Sequence, residues 1–259
     1  MFVEERQELI VKELMDKGSV RVKELSERFS VTEDLIRKDL NALEKQGKCK
    51  KIYGGAILEK ENVHRKTAAQ RKSVNIEAKK KIAKTAMDQI KEGSIVFLDI
   101  STTVVELARL IVNKNLRITV VTNALEVINL FANTSINTIF IGGEFDYGKD
   151  GFVGSMADAV LSNFYFDYAF MGVVAIDMKN NAVYTYMAAD GITKQTVLSH
   201  SKQAFLLSDL DKFNQIGNYQ YAAVSDFDGI ITDVQPSAQN LKYAQKYDVK
   251  IYYEENKDE

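Results

Sequence analysis

Most of the residues that are suited to bind a small anion come directly after short apolar runs in the part of the chain that follows Gly93. Hydroxyls and backbone N–H groups at the start of a helix suit a phosphate, and glycines let a backbone approach a ligand closely. Lysine and arginine neutralise the charge of such a ligand. We therefore predict an anion site that combines polar residues after these runs with three cations. Its members are Asp99, Ser101, Thr102, Thr103, Asn123, Gly142, Gly143, Arg71, Lys194 and Lys212.

Each of these residues also has a purely structural interpretation. Ser101 and Thr102 could cap a helix, and the two glycines could form a turn. Asp209, which ends a later apolar run, could hold a loop. The convergence of the set at the ends of strands favours a ligand site over these alternatives.

The elements that would position these residues alternate between strand and helix. After Gly93, amphipathic segments such as TTVVELARLIV alternate with the apolar runs SIVFLD, ITVVT, TIFIGG, YAFMG and QAFLLSD. A run that is apolar at successive positions suits a strand that is buried on both faces of a parallel sheet. The alternation predicts an α/β fold with right-handed crossovers, whose ligands bind beyond the carboxyl ends of the strands.

The amino-terminal segment has a different pattern, that of three short helices. Apolar residues recur at helical spacing over residues 3–17, and Gly18 is placed to end that helix. The pattern predicts a second helix over VKELSERF and a third over TEDLIRKDLNALEKQ, with Thr32 as N-cap and Gly47 at its end. Two helices joined by a tight turn are the arrangement that places the second helix in the DNA major groove.

The third helix and the segment after it supply the candidate DNA contacts. The segment KCKKIYGGA predicts a short β-hairpin, or wing, whose lysines meet phosphates. Charged faces on short helices are also common where nothing binds, so the pattern alone leaves both interpretations open. The candidate contacts are Thr32, Glu33, Leu35, Arg37, Lys38, Asn41, Lys48, Lys50, Lys51 and Tyr53.

Charge and composition narrow the class of protein. The net charge is −2, yet residues 1–81 hold 20 basic and 14 acidic side chains, whereas the remainder holds 14 and 22. A basic first third favours nucleic acid as its partner. The single cysteine, Cys49, excludes an intramolecular disulfide, and two histidines argue against a histidine-rich metal centre. We predict no cofactor and no metal.

The sequence gives no indication of export or of a membrane span. The first residues carry acids where a signal peptide has basic residues. No stretch approaches the roughly 18 consecutive apolar residues of a membrane helix. We therefore expect a cytoplasmic protein without a membrane partner.

The DeoR family of bacterial transcription regulators has a helix-turn-helix and wing that resemble ELSERFSVTEDLIRKDLNALEKQGKCKKIYGGA. The family pattern contains Glu-Leu, a Phe, Val-Ser, Thr-Ile-Arg-Arg-Asp-Leu, Leu-Glu and a basic wing that closes on Gly-Gly-Ala. This chain departs from it at Thr32, Leu35 and Lys38. Thr32 keeps the cap, Leu35 removes a hydroxyl, and Lys38 lacks the planar fork of arginine. The resemblance implies a DNA-binding domain.

The resemblance extends to the second part of the chain. FLDISTT is similar to the family's sensor motif Leu-Asp-x-Gly-Thr-Thr, with Ser101 in place of the glycine. A Glu-Ala-x-x-Lys block of the family falls at residues 190–194, which adds Asp190 to the candidate effector residues. Ala175 stands where the family commonly has glycine. The resemblance implies a Rossmann-like α/β sensor domain, similar to ribose-5-phosphate isomerase-type folds, and a phosphorylated sugar or polyol as effector.

We predict a DNA-binding transcriptional regulator and not an enzyme, namely a repressor of a sugar or polyol catabolic operon. The predicted domains are a winged helix-turn-helix at 1–58, with its two-helix motif near 20–39, a linker at 59–74 and a sensor at 75–259. Expected partners are double-stranded operator DNA, the phosphorylated effector and further copies of the chain, as a dimer or tetramer. Two alternatives stay open: a sugar-phosphate isomerase-like enzyme that carries a DNA-binding domain, and a sensor that only oligomerises.

Overall fold

The computed structural model describes residues 3–46, 48–58, 71–146 and 148–254. By its internal contacts the chain forms two compact units, Met1–Arg65, here called the head, and Lys66–Glu259, here called the sensor. Most of the predicted linker, residues 59–70, lies outside the described residues. Its last part belongs to the sensor, because Arg71 and Lys72 form ion pairs with Asp150 and Glu126.

The head consists of three helices and a small antiparallel sheet. The helices are α1 (Val3–Lys17), α2 (Val22–Phe29) and α3 (Glu33–Lys45). The strands are β1 (Ser19–Arg21), β2 (Cys49–Ile52) and β3 (Gly55–Leu58), in the order β1-β3-β2. The predicted helix-turn-helix, α2 and α3, and the predicted wing, β2 and β3, are confirmed. The sequence does not predict β1, because three residues are too few to show a strand period.

Local signals explain where the helices of the head begin and end. Gly18 follows α1 with a φ of 74°, in the left-handed region that glycine adopts readily. Thr32 caps α3, since its side chain accepts a hydrogen bond from the Leu35 N–H at 3.3 Å. Gly47, the predicted end of α3, lies outside the described residues, and Gln46 is the C-cap.

One apolar core joins the helices of the head, and a buried ion pair crosses it. The fully buried side chains include Ile10, Leu14, Leu25, Ile36, Leu40 and Leu43. Arg6 Nε of α1 lies 2.6 Å from Asp39 Oδ2 of α3, and both side chains are 3% exposed. A second bond, from Arg6 Nη2 to Asp39 Oδ1 at 3.2 Å, makes the pair bidentate, so it fixes α1 against α3.

The sensor is built on a seven-stranded parallel sheet. In chain order its strands are β4 (Ile95–Leu98), β5 (Thr119–Thr122), β6 (Asn137–Phe140), β9 (Tyr168–Gly172), β12 (Ala204–Leu207), β14 (Gly229–Ile231) and β15 (Lys250–Tyr252). Their spatial order is β15-β14-β12-β9-β4-β5-β6. The helices are α4 (Ile76–Met87), α5 (Thr102–Lys114), α6 (Leu125–Phe131), α7 (Ser155–Leu161), α8 (Ala188–Ser199) and α9 (Ala238–Lys246).

Helices cover both faces of this sheet. Val96 and Leu98 of β4 lie in one core with Val104 of α5. Phe97, between them, lies in the opposite core with Val197 of α8. Successive residues of a strand point to opposite faces of the sheet. Because helices cover both faces, residues on either face must be apolar, and this is the pattern of the predicted strands. The predicted α/β fold is confirmed.

Two small antiparallel elements are absent from the prediction. Strands β10 (Ala175–Asp177), β11 (Ala182–Thr185) and β13 (Tyr219–Ala222) form one sheet, and β7 (Glu144–Phe145) pairs with β8 (Phe152–Val153). Each strand is too short for alternation to be visible in the sequence. Helix α4 ends at Met87, and Asp88 is its C-cap.

Candidate functional site

The predicted DNA contacts lie on the outer face of α3 and on the wing. Ile36, Leu40 and Leu43 are buried, so the helical period turns the polar residues between them outward. All ten predicted contacts reach the surface of the head, wholly or in part. Exposed are Thr32, Arg37, Lys38, Asn41, Lys48, Lys50, Lys51 and Tyr53, and half-buried are Glu33 and Leu35.

Arg37 is held on its own helix by two acids. Its Nη2 lies 2.6 Å from Glu33 Oε2, and its Nη1 lies 2.8 Å from Asp34 Oδ1. Exposed ion pairs of this kind contribute little to stability, so the guanidinium can exchange them for another anion or a base edge. Its position in the first half of α3 is where a recognition helix contacts bases.

Hydrogen bonds tie the wing to α3. The Lys51 N–H donates to Glu44 Oε1 at 2.8 Å, and the Lys51 ammonium donates to Asn41 Oδ1. Strand β1 pairs with β3 on the other side, so the wing is part of a three-stranded sheet. Its lysines are therefore held in a fixed relation to the outer face of α3.

A buried cluster of ionisable side chains, the acidic cluster, lies at the carboxyl ends of β4 and β9. It consists of Asp99, Asp190 and Lys194. Lys194 Nζ donates to Asp99 Oδ2 and lies 3.4 Å from Asp190 Oδ1. The Gly172 N–H donates to Asp99 Oδ2 at 2.8 Å, and Thr185 Oγ1 donates to Asp190 Oδ2. The structure thus brings together the three residues that the sequence places on two distant segments.

Burial and mutual attraction set the protonation of this cluster. Burial raises the pKa of the Asp99 carboxyl, and the Lys194 ammonium opposes that shift. Burial alone would lower the pKa of Lys194, but the carboxylates of Asp190 and Asp99 outweigh it and raise that pKa. Lys194 is therefore an ammonium shared by two acids, whose remaining oxygens can accept hydrogen bonds from hydroxyl groups.

The start of α5 adjoins the acidic cluster. Ser101 is the N-cap, and its Oγ accepts a hydrogen bond from the Thr103 N–H at 3.2 Å. Ser101 fits there because Gly172 has no side chain: a Cβ at that position would lie 2.3 Å from Ser101 Cβ. Thr102 is half-buried and Thr103 is buried. The structural role of Ser101 is thus a cap, whereas the two threonine hydroxyls are placed at a helix start.

The residues after β5 and β6 pack against the β7–β8 hairpin. Asn123 Nδ2 donates to the Phe152 carbonyl oxygen at 2.8 Å. A Cβ on Gly143 would lie 2.7 Å from the Val153 carbonyl oxygen, so only glycine fits. The surroundings of Gly142 are open. Packing therefore accounts for Gly143 and for the amide nitrogen of Asn123.

Three cations, the cationic cluster, act on one another at the start of the sensor: Arg71, Lys79 and Lys212. Lys79 is 5% exposed, and its Nζ donates to the Arg71 carbonyl oxygen at 2.5 Å. Within the described residues neither lysine forms an ion pair with a carboxylate. Burial, and then repulsion by Lys212, lowers the pKa of Lys79 to about 8, while the carboxylate of Asp209 opposes the shift. Burial also lowers the pKa of Lys212; Asp209 opposes that shift and Arg71 adds to it. A bound anion would relieve this repulsion.

Tyr186 relates the cationic cluster to the acidic cluster. Arg71 Nη1 donates to Tyr186 Oη at 3.3 Å. Burial raises the pKa of Tyr186, with smaller contributions from Asp150 and Asp190 and opposition from Arg71. Burial, and then the two carboxylates of the acidic cluster, raises the pKa of Tyr221 well above its ordinary value. The two clusters therefore both lie within electrostatic reach of Tyr186.

Buried oxygens without a hydrogen-bond partner surround this edge of the sheet. Within the described ranges they are Thr103 Oγ1, Asn123 Oδ1, Asp150 Oδ1, Asp209 Oδ1 and Tyr221 Oη. An unsatisfied buried polar group costs about 1–3 kcal/mol. Their concentration in one region indicates a site that is built for a polar ligand or for water.

A cavity of about 330 Å³ lies at the opposite end of the sheet, where β5 and β6 begin. Its lining includes Arg117, and its other polar side chains pair with one another. Ser135 donates to Asn115, and Asn137 donates to Thr119. The chemistry of the molecule is therefore concentrated at the carboxyl ends of the strands, as expected for a parallel sheet.

Sequence reasoning missed three residues of this region, namely Lys79, Thr185 and Asp150. Lys79 carried a signal, because it stands three, four and seven positions before Ile82, Ala83 and Ala86, on the apolar face of α4. Thr185 and Asp150 lie in or beside the short antiparallel strands, which left no pattern to detect.

Neither a metal-binding cluster nor a membrane-spanning helix occurs in the described residues. They contain no group of three or more histidine, cysteine, aspartate or glutamate side chains that could hold a metal ion. Their helices include none that is both long enough and apolar enough to span a membrane.

A winged helix-turn-helix joined to an α/β domain with a polar strand-end site defines a class, that of ligand-responsive DNA-binding regulators. Comparison with known families identifies the family of regulators to which the chain belongs. A DeoR-like helix-turn-helix domain matches residues 6–62, and the DeoR C terminal sensor domain matches residues 74–234. The chain belongs to the DeoR family of transcriptional regulators, as its sequence resemblance predicts.

Individual relatives agree with this assignment. The chain is 34% identical to the lactose phosphotransferase system repressor of Lactococcus lactis, over 93% of this chain and 95% of the relative. It is 30% identical to the glycerol-3-phosphate regulon repressor of Escherichia coli, again over 93% and 95%. Among solved structures, ribose 5-phosphate isomerase A of Methanocaldococcus jannaschii is similar with a TM-score of 0.41 and 17% identity, over 54% of this chain and 55% of that chain.

Proposed function

We propose that this regulator represses a sugar or polyol catabolic operon, and that a phosphorylated sugar or polyol bound in the sensor releases it from its operator. The names of the relatives support this proposal, since one represses a lactose phosphotransferase system and another a glycerol-3-phosphate regulon. One observation carries the ligand class: Lys79 is a buried ammonium without a carboxylate partner in the described chain, beside two further cations.

The phosphate of the effector would bind between the cationic cluster and the start of α5. The three cations supply the charge, and backbone N–H groups with the hydroxyls of Ser101–Thr103 supply donors. The hydroxyls of the effector would bind the acidic cluster, whose carboxylates accept hydrogen bonds. Asn123, Gly142 and Gly143 would line the same site from β5 and β6. Because one end is cationic and the other accepts protons in hydrogen bonds, the site suits a molecule that combines a phosphate with hydroxyls.

We assign binding without turnover. The relatives that match nearly the whole chain are named as regulators, and a regulator needs only to bind its effector. Substantial turnover of a phosphosugar by the purified chain, lost on Asp99→Asn, would instead favour the isomerase-like enzyme.

The head would bind operator DNA within a homo-oligomer. Helix α3 would enter the major groove with Arg37, Lys38 and Asn41, while Lys48 and Lys50 of the wing segment meet phosphates. A dimer or tetramer would engage paired half-sites, which converts two weak contacts into one strong one.

The proposal is tested by gel shift with the full chain and the DNA upstream of its own gene. We expect at least one phosphorylated sugar or polyol to release the DNA, while its unphosphorylated parent does not. Lys212→Ala should abolish this release, whereas Lys84→Ala, which removes an exposed cation of α4, should behave as wild type. If no phosphorylated compound changes the DNA affinity, the proposed effector class is wrong.

A further inference from the structure

One member of the cationic cluster already has an anionic partner inside the protein. Arg71 Nη2 lies 2.6 Å from Asp150 Oδ2, and the two side chains are 21% and 14% exposed. The same guanidinium contacts Tyr186 Oη, while the Arg71 carbonyl oxygen accepts the bond from Lys79. The carboxylate of Asp150 therefore occupies a position from which it neutralises the cluster that would receive a phosphate.

Hydrogen bonds hold the described residues of the loop that carries Asp150. Asp146 accepts hydrogen bonds from the backbone N–H groups of Gly148, Asp150 and Gly151, at 2.8–3.0 Å. The Asp150 carbonyl oxygen also accepts from the Leu125 N–H at 2.9 Å, at the start of α6. Because the backbone is fixed on both sides, the carboxylate cannot leave the site by a loop movement without breaking these bonds.

A phosphate that binds Arg71 must therefore share the guanidinium with Asp150 or displace it. In both cases the negative charge of Asp150 repels the incoming dianion. It also neutralises part of the positive charge of the cationic cluster, so the dianion is attracted less strongly. Asp150 Oδ1 has no hydrogen-bond partner in the described chain, and the carboxyl of Asp146 repels the charge of Asp150 and so opposes Arg71. Displacement would cost the ion pair with Arg71.

We propose that Asp150 is a built-in competitor of the effector phosphate for Arg71, and thus the residue that sets the effector concentration at which the sensor responds. This inference rests on the proposed function, because it takes the cationic cluster as the phosphate site. The identity of the polyol part does not enter the argument.

Protonation of Asp150 is a second way to weaken its contact with Arg71. Burial raises the pKa of its carboxyl to about 6; Asp146 adds to the shift and Arg71 opposes it. The charged and titratable groups that face it are Arg71, Asp146 and Tyr186. As the pH falls through this range, Asp150 becomes neutral, its hold on Arg71 weakens, and anion binding is expected to strengthen.

The test is calorimetric titration of the full chain with ribose 5-phosphate and with sulfate, whose charge stays constant in this range. Asp150→Asn keeps the shape and removes the charge, and we expect it to bind both anions on the order of tenfold more tightly. Asp88→Asn, an exposed acid just after α4, is the control for net charge and should leave the affinity unchanged. For the wild type, sulfate should bind more tightly at about pH 5 than at about pH 7.

A double-mutant cycle separates competition from general repulsion. In an Arg71→Gln background the gain from Asp150→Asn should vanish, because the contested partner is gone. An undiminished gain in that background, or unchanged or weaker binding in Asp150→Asn alone, would overturn the competitor role while leaving the phosphate site in place. If the wild type binds neither these anions nor any phosphorylated sugar, it is the proposed function that fails.

Discussion

The head and the sensor each bury an ion pair, and the two pairs differ in one decisive respect. In the head, Arg6 and Asp39 are bidentate and their charges balance. In the sensor, Lys194 is shared by Asp99 and Asp190, so the acids outnumber the cation. Buried side-chain oxygens without a hydrogen-bond partner lie around the second pair. In the described residues of the head, every buried side-chain nitrogen and oxygen has a hydrogen-bond partner.

Burial of charge is therefore not by itself a mark of function. A balanced and fully hydrogen-bonded pair fixes two helices, but the loss of hydration of its two charges offsets much of their attraction. Well-packed apolar residues can therefore replace such a pair. An unbalanced cluster with unused hydrogen-bonding groups keeps capacity for something outside the protein. The comparison predicts that the same type of substitution has different consequences in the two units.

The largest expected effect comes from removing the cation of either pair. Arg6→Met and Lys194→Met each leave a buried carboxylate without its counter-ion, so each should lower the free energy of unfolding of its unit by about 3–5 kcal/mol. The double variant Arg6→Met/Asp39→Leu should recover most of that loss, whereas Lys194→Met/Asp99→Leu should recover less of it, because Asp190 keeps its charge without the ammonium. Urea unfolding followed by circular dichroism measures both.

Function distinguishes the two double variants. The head variant should bind the upstream DNA again once it is stable, whereas the sensor variant should bind DNA but ignore the effector. A sensor double variant that still releases DNA on addition of the effector would show that the acidic cluster is only structural, like the pair in the head.

An intermediate effect is expected at the surface of the head. Arg37→Ala should weaken binding to the upstream DNA by about 1–3 kcal/mol if its guanidinium contacts a base. Its ion pairs with Glu33 and Asp34 are exposed, so the stability of the head should hardly change. Lys50→Ala should lower the affinity less and reduce the salt dependence by about one counter-ion. Equal losses of affinity and of stability in Arg37→Ala would contradict this placement.

The smallest effect is a dependence on pH at Lys79. Its pKa is lowered to about 8, so above that pH the folded sensor holds a neutral amine while the unfolded chain still binds the proton. The unfolded state then binds more protons, and the contribution of Lys79 to the free energy of unfolding rises with pH. Affinity for the effector phosphate moves the opposite way, with a loss of up to about tenfold between pH 7 and pH 9.

Lys79→Met isolates this contribution from other groups that titrate at high pH. It removes the charge at every pH, so its effector affinity should change less than that of the wild type over the same range. Parallel pH profiles in calorimetric titrations of the two proteins would exclude Lys79 from the phosphate site.

The sequence predicts the head and the strand-end set for local reasons. Thr32 is a good N-cap in any context, and an apolar run that ends in Asp99 indicates a strand end without knowledge of the rest. These signals are short in range, and the structure confirms the elements that they define. The functional roles of the residues remain predictions.

Pairings between distant segments left no such signal. The helical period places Lys79 on the apolar face of α4, but its hydrogen bond to the Arg71 carbonyl oxygen depends on how the chain before α4 folds back. The contact between Arg71 and Asp150 joins residues far apart in the chain and depends on a hairpin of two-residue strands. Neither composition nor period contains that information.

The fit of Ser101 over Gly172 has a consequence for how the family can vary. Alanine at 172 would collide with the serine, while glycine at 101 would lift that restriction. A side chain at 172 therefore requires the loss of the one at 101, so across descendants of this gene we expect glycine at one or both positions, as a matched set. Counting the aligned relatives that carry side chains at both positions would test whether this steric contact has constrained the evolution of the family.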